Sequence, residues 1–282
     1  MTALTPFDFD YIVQLLKERS GLVLTEDKAY LLEARLTPIA RRLGLASLKE
    51  LVDEMRNKGS EILLSEVTEA MTINESLFFR DPPVFKAFEQ HVLNYLHKAR
   101  AGTRKLRIWS AAASTGQEAY SIAMTLGARP DLWSGWNIEI VGTDLCSYAL
   151  KRARSGVYSQ FEIQRGLPID VLIRNFTQKD NEWEINQNHK DMVNFQVMNL
   201  LDPFTALGQF DVIFCRNVLI YFDRPTKGVI LNKMRRQLAE DGTLLLGAAE
   251  TVLGYTDEFQ ALTNLRNMFV PPSSPLLQLK TG

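Results

Sequence analysis

The chain has 282 residues, 46% hydrophobic and 23% charged, with a formal net charge of −1. That suits one large or two smaller globular domains, and it excludes a global charge favouring nucleic acid or anionic membrane. Two cysteines without CxxC spacing and three scattered histidines give no disulfide framework and no expected metal site.

The N-terminal MTALTPFDFD lacks the basic and apolar regions of a signal peptide. No apolar run approaches the ~20 residues of a membrane span. A soluble cytoplasmic protein is expected, with no nucleic-acid partner and no membrane insertion.

The first ~75 residues read as helices only. Phe9, Ile12, Val13, Leu15 and Leu16 form one apolar stripe, closed by Gly21. Thr25 is expected to cap a second helix that stops at Gly44, with Pro38 kinking or interrupting it. Ser47 and Glu50 form a capping-box pattern for a third helix ending near Gly59, and Ser60 caps a fourth that reaches Met71.

From Leu106 the pattern alternates. LRIWSA, IEIVGTD, NFQVM, FDVIFC and GTLLLGAA read as strands. TGQEAYSIAMTLGA, SYALKRARS and TKGVILNKMRRQLAE read as helices. This argues for a doubly wound parallel α/β domain. Asp241-Gly242 reads as a turn between the last helix and its strand. Over about residues 157–195 the alternation breaks, and NEWEIN suggests a small antiparallel β insertion. The C-terminal PPSSPLLQLK reads as a short strand or loop.

The turn SAAASTG after the first strand is made of small residues and opens a helix. It lets a ligand approach the backbone, although a plain βα turn has the same composition. Glu118, in the first helical turn, either complements the helix dipole or pairs with a cationic ligand group. Asp144 ends the second strand, where ribose hydroxyls are bound in nucleotide folds. Asn199, Leu200, Arg216 and Asn217 also follow strand-like runs and fall on the same rim. With no lysine after the turn to hold phosphates, the set suits an adenosyl ligand.

MTINESLFFRD, IWSAAASTGQEAYSIAM, the acid of GTDL and FDVIFCRNVLIYFD together resemble the chemotaxis receptor methyltransferases, the CheR family, over essentially the whole chain. The resemblance implies a Rossmann-like S-adenosylmethionine-dependent methyltransferase domain with a small antiparallel insertion, preceded by an all-α domain. The boundaries expected are 1–73 for the helical domain, 74–104 for a linker or latch, and 105–282 for the methyltransferase domain.

It further implies that Asn74, Ser76 and Arg80 lie over the cofactor and active site. Ser76 stands where threonine is often found. Glu118 and Asp144 would hold the methionine and ribose ends, Asn199 and Leu200 would flank the adenine, and Arg216 and Asn217 would complete the pocket. Tyr221 would face the reacting centre and, with Arg80, orient the substrate. The plainer alternatives are a core aromatic for Tyr221 and an interdomain salt bridge for Arg80. Gln117 and Ala119 depart from the family pattern, where Glu and Pro are common; Glu118 is retained.

The implied reaction is methylation of chemoreceptor glutamates, with S-adenosylhomocysteine as product and no metal. Arg35, Arg41 and Arg42 on the second helix are candidate contacts for acidic receptor helices, although a basic face is more often simply solvated. Some relatives dock on a receptor C-terminal tether through the insertion. Here residues 175–185 are short and no glycine lies between Gly166 and Gly208, so no pentapeptide tether binding is expected. A monomer is expected. Two rivals stay open: a methyltransferase acting on another protein or a small molecule, and a non-catalytic docking module that senses S-adenosylmethionine.

Overall fold

A computed structural model describes residues 4–263 and 265–278. The chain divides into two compact units, Met1–Ile73 with Tyr221–Thr226, and Asn74–Ile220 with the chain from Lys227 onward.

The first unit holds helices α1 (Pro6–Ser20), α2 (Tyr30–Arg42), α3 (Leu48–Lys58) and α4 (Glu61–Met71). Their apolar stripes meet in a core that includes Ile12, Leu16, Leu32, Leu36, Leu51 and Val67. Thr5 and Asp8 cap α1 reciprocally, and Gly21 ends it in the left-handed conformation at φ 75°. Asp8 also takes a 2.8 Å bond from Arg56, whose guanidinium lies 4.4 Å from the centre of the Phe7 ring. From the 221–226 segment, the Tyr221 carbonyl accepts the Val23 N–H at 2.9 Å, and Asp223 pairs with Lys17 at 2.9 Å.

Two sequence expectations are corrected here, and a third, an interruption of α2 at Pro38, is not met. Thr25 precedes a short 3-10 turn, Glu26–Lys28, without a side-chain cap bond, and α2 starts after it. Pro38 lies inside an uninterrupted α2. It denies the Ala34 carbonyl one partner, but both residues are exposed, so water can supply it. Glu50 reaches the Ala46 N–H at 2.8 Å, one residue beyond the expected box, while Ser47 caps as expected.

The second unit is built on a seven-stranded sheet. In chain order its strands are β1 (Lys105–Ala111), β2 (Asn137–Asp144), then, after the insertion's β3 (Val157–Ser159), β4 (Phe176–Lys179) and β5 (Glu182–Ile185), β6 (Val193–Val197), β7 (Phe210–Cys215), β8 (Leu238–Leu246), β9 (Gln260–Ala261) and β10 (Met268–Val270). The spatial order is β6-β2-β1-β7-β8-β10-β9. The first five are parallel neighbours; β10 runs antiparallel to both β8 and β9. The chain winds outward from β1 to β6, then returns to start again at β7. The strand order therefore reverses between β1 and β7, and ligands of open α/β sheets bind outside the carboxyl ends of the strands at such a point.

The sheet is mixed rather than wholly parallel, because two short strands follow β8. Asp241-Gly242 does not separate the last helix from its strand but lies within that strand, β8, where the register with β7 shifts between Phe210 and Val212. Within the tail Pro275–Gln278 form a 3-10 turn, and its residues 279 and 280 lie outside the described residues. The small sheet, ordered β3-β5-β4, is finished before β6, so residues 193–195 belong to the main sheet. No helix among the described residues is long and apolar enough to cross a membrane.

The α1 cap gives a stability prediction. The Thr5 hydroxyl, with Arg56 adding to it, holds the Asp8 carboxyl at about 2 instead of 3.8. A depressed folded pKa gives stability that is present above the unfolded value and lost as pH falls through the folded one. Asp8→Asn should cost the helical unit about 1–2 kcal/mol near neutrality. The urea midpoints of the two proteins should converge as pH falls from about 4 toward 2; a gap that persists unchanged would show that the carboxylate is not its source.

Candidate active site

The turn after β1 is left-handed at Ala112 (φ 61°), Ser114 (φ 53°) and Gly116 (φ 95°). Positive φ is uncommon without glycine and concentrates at functional sites. This conformation turns the Ser114 N–H toward Asp144, to which it donates at 2.8 Å. The other Asp144 oxygen accepts the Cys146 N–H at 2.8 Å. One acid thus joins the ends of β1 and β2. Gly116 answers to protein packing: a Cβ there would lie 3.1 Å from the Tyr158 hydroxyl oxygen and 3.0 Å from the Ala153 Cβ.

Arg216 leaves the end of β7 with its side chain only 1% exposed. It pairs with Glu118 at 3.1 Å and Asp81 at 2.6 Å, and donates to the Arg80 carbonyl at 2.7 Å. Its Nε has no partner. Glu118 accepts the Ser110 hydroxyl at 2.8 Å on its other oxygen. Burial pushes the Glu118 carboxyl up, against the opposing pull of Arg216 and Ser110. The site therefore contains a closed charge network with one unanswered donor, the guanidinium Nε.

Asn199 and Leu200 stand beyond β6. The Asn199 side chain accepts the Leu201 N–H at 3.0 Å, and Met198 donates to the Asp144 carbonyl at 2.9 Å, tying this loop to the acid. Lys233 donates to the carbonyls of Leu200 at 2.6 Å and Asp202 at 2.8 Å. It also sits 4.4 Å from the centre of the Phe204 ring. Asn217 is left-handed, at φ 60°, immediately after Arg216.

The latch carries Asn74, Ser76 and Arg80. The Asn74 carbonyl accepts the Ser114 hydroxyl at 2.8 Å, and the Phe79 N–H donates to Ser121 at 2.9 Å. Glu75 pairs with Arg165 of the insertion at 2.8 Å. Its carboxyl is held below the usual range first by Arg165, with Arg80 contributing. A groove of about 240 Å³ opens here, lined by Asn74, Ser76, Gln117, Tyr148, Arg152 and Arg165 among others.

The expected residues Asp144, Glu118, Arg216, Asn217, Asn199 and Leu200 all lie at the carboxyl ends of the parallel strands, with the latch bonded to the β1 turn. Tyr221, in the 3-10 turn Leu219–Tyr221, is grouped with the helical unit. Sequence reasoning missed Asp81, Ser110 and Lys233. Asp81 and Ser110 stood inside motifs already singled out; Lys233, on the face of a helix, gave no signal.

Breaking a buried ion pair on one side leaves an unanswered charge, at about 3–5 kcal/mol. Arg216→Met should destabilise the second unit by that order, and adding Glu118→Gln should recover part of the loss. Denaturant unfolding of the two single variants and the double variant checks this. Strictly additive losses would mean the pair is not coupled.

Residues 8–72 match the family model described as "CheR methyltransferase, all-alpha domain", and residues 74–267 match "CheR methyltransferase, SAM binding domain". A chemotaxis protein methyltransferase of Vibrio parahaemolyticus is 39% identical over 268 residues, covering 92% of this chain and 95% of the relative. Chemotaxis protein methyltransferase 1 of Pseudomonas aeruginosa is 39% identical over 257 residues, covering 90% and 93%. The Escherichia coli chemotaxis protein methyltransferase is 34% identical over 257 residues, covering 88% and 85%. With both domains matched in order and a strand-end rim of acids and amides, the chain belongs to the CheR methyltransferase family.

Proposed function

We propose that this protein transfers the methyl group of S-adenosylmethionine to glutamate side chains of chemoreceptors, giving glutamyl methyl esters and S-adenosylhomocysteine. The observation that carries this reading is the pair of acids, Glu118 and Asp144, at the carboxyl ends of neighbouring strands in a family-matched cofactor domain. The residues fit the cofactor. The Asp144 carboxylate supplies acceptors of the kind ribose hydroxyls need, and the unpartnered Arg216 Nε leaves a donor at the rim.

Asp144 would hold the ribose, Glu118 the methionine end, and Asn199 and Leu200 the adenine; Asn74, Ser76, Arg80, Arg216 and Asn217 would complete the pocket. We assign residues 1–73 to a receptor-facing helical domain, 74–104 to the latch, and 105–282 to the methyltransferase domain, with the antiparallel insertion from about 157.

When bound, S-adenosylmethionine supplies an electrophilic methyl on a sulfonium. The glutamate carboxylate is already ionised near neutral pH, so the protein needs no strong general base. An oxygen–methyl bond forms as the methyl–sulfur bond breaks, and the two opposite charges disappear together. A site that gripped the carboxylate too tightly would resist that loss of charge. The protein's work is then alignment, with Arg80 and Tyr221 orienting the carboxylate through hydrogen bonds.

The reading places the protein in the cytoplasm, as a monomer that needs no metal. Of the three basic residues on α2, Arg41 is exposed. Arg42 is engaged with Glu66, and Arg35 donates to the carbonyls of Met71 and Thr72 at 2.9 and 2.6 Å. Arg35 therefore serves the helical unit first, and Arg41 is the best candidate for receptor contact. In the insertion, β4 and β5 are joined by a two-residue turn with Asp180 at φ 53°. So tight a hairpin offers no glycine-lined approach for a peptide, which supports direct, tether-independent use of the methylation region.

Incubation with labelled S-adenosylmethionine and receptor-rich membranes should give base-labile methyl groups on the receptors. Absence of ester under conditions where cofactor binds would favour a docking module. Arg80→Ala and Tyr221→Phe should lower kcat more than cofactor affinity; a full rate at saturating receptor would remove that residue's role. Asp144→Ala should weaken S-adenosylhomocysteine binding by about 1.5–3 kcal/mol, and unchanged affinity by calorimetry would sink the ribose assignment.

A further inference from the structure

The parallel ladder between β7 and β8 ends at the pair Cys215 and Leu246. Just beyond it, one buried side chain takes over. The Glu250 carboxylate, on a residue only 7% exposed, accepts four backbone N–H groups. Oε2 takes Asn217 at 2.7 Å and Gly247 at 2.7 Å. Oε1 takes Val218 at 2.9 Å and Ile220 at 3.3 Å. No cation answers this charge in any of the four bonds; the peptide dipoles of the turn do.

Two further features keep the arrangement in place. A Cβ at Gly247 would lie 2.6 Å from Glu250 Oε2 and 2.8 Å from the Asn217 nitrogen, so only glycine lets the two turns come this close. Asn267, itself left-handed at φ 62°, donates its side-chain amide to the Gly247 carbonyl at 2.7 Å.

We propose that Glu250 is a positioning residue for methyl transfer: its carboxylate fixes the 216–220 turn, and so presents Arg216 and Asn217 to the cofactor. This rests on the functional reading above. The strands pair without Glu250, since its partners all lie past the last ladder pair. Its contribution is the shape of the turn: it holds Asn217 in a left-handed conformation that a non-glycine residue adopts at a cost, and it sets the direction of the backbone up to Ile220, after which the next residue is Tyr221. Glutamine cannot replace it, because it offers one acceptor oxygen and turns an NH2 toward N–H donors.

The test uses the full chain. S-adenosylhomocysteine affinity by calorimetry, kcat on receptor membranes, and Tm are measured for the parent, Glu250→Gln, Glu250→Asp, Gly247→Ala, and a destabilised control, Leu276→Ala, in a buried position that shares a cavity with His91, Val92 and Leu262. Glu250→Gln should lose at least about tenfold in cofactor affinity, with kcat also reduced. Gly247→Ala should behave similarly, and Glu250→Asp should be intermediate. Leu276→Ala should keep its affinity despite a lower Tm.

If Glu250→Gln binds as the parent does, or if the control loses affinity in step with its Tm, the positioning role is wrong. Should Glu250→Gln fail to accumulate, Glu250→Asp carries the same comparison against the control. If the parent itself does not bind S-adenosylhomocysteine, the functional reading fails first, which separates the two claims.

Discussion

A guanidinium held almost wholly out of water must be answered from within the protein, and the Arg216 side chain is 1% exposed. Its answers come from two places in the chain: Asp81 with the Arg80 carbonyl on the latch, and Glu118 on the helix Gln117–Gly127 that follows β1. The cationic group therefore fixes the latch, the β1 turn and the end of β7 to one another. Each carboxylate is in turn committed by the arginine. Glu118 is held between a serine hydroxyl and the guanidinium, with burial pressing its carboxyl toward the neutral form. Removing Arg216 would leave Glu118 buried with no cation beside it, whereas removing either carboxylate leaves the guanidinium paired with the other.

Around this network the backbone is unusual. Phe79, Asp81, Ala112, Ser114 and Asn217 all have positive φ, five of the eight such non-glycine residues described. Left-handed conformations in ordinary residues persist only where their surroundings over-determine them. Here the surroundings are visible as bonds. Asp144 takes the Ser114 N–H, and Glu250 takes the N–H groups of Asn217 and its neighbours. The latch reaches outward as well. Phe78 packs edge-on against Tyr158 and Phe176 of the insertion, with ring centres 4.9 and 5.4 Å apart, and a Cβ at Gly166 would collide with the Phe78 carbonyl. The small sheet is thus bonded to the same segment that carries Asn74 and Arg80.

Much of this scaffold was legible in the sequence, for identifiable reasons. Strands such as FDVIFC are fully buried and read as unbroken apolar runs, and the helix starts at Ser47 and Ser60 announce themselves by side-chain capping. Asp144 and Glu118 were found because a strand end and a first helical turn are recognisable places. Glu250 and Lys233 were not, because all the Lys233 partners and three of the four Glu250 partners lie 30 or so residues away in the chain, and nothing local marks a carboxylate that will collect backbone N–H groups. The Arg216–Asp81 pair spans 135 residues and depends wholly on the fold. Asp241-Gly242 misled because its turn composition sits inside β8, where a register irregularity with β7 absorbs it.

Family membership gives the reaction class, and the geometry indicates how this chain prepares for it: buried charges and shared N–H bonds hold three loops at the carboxyl edge of the sheet before any ligand arrives. Hydrogen exchange of the full chain, with and without S-adenosylhomocysteine, tests that most directly. The account predicts that added protection concentrates at residues 112–118, 144–146 and 216–220, with those amides already slow to exchange in the free protein. Fast exchange there in the free protein, or protection that appears elsewhere on binding, would contradict a preformed cofactor site built on Arg216.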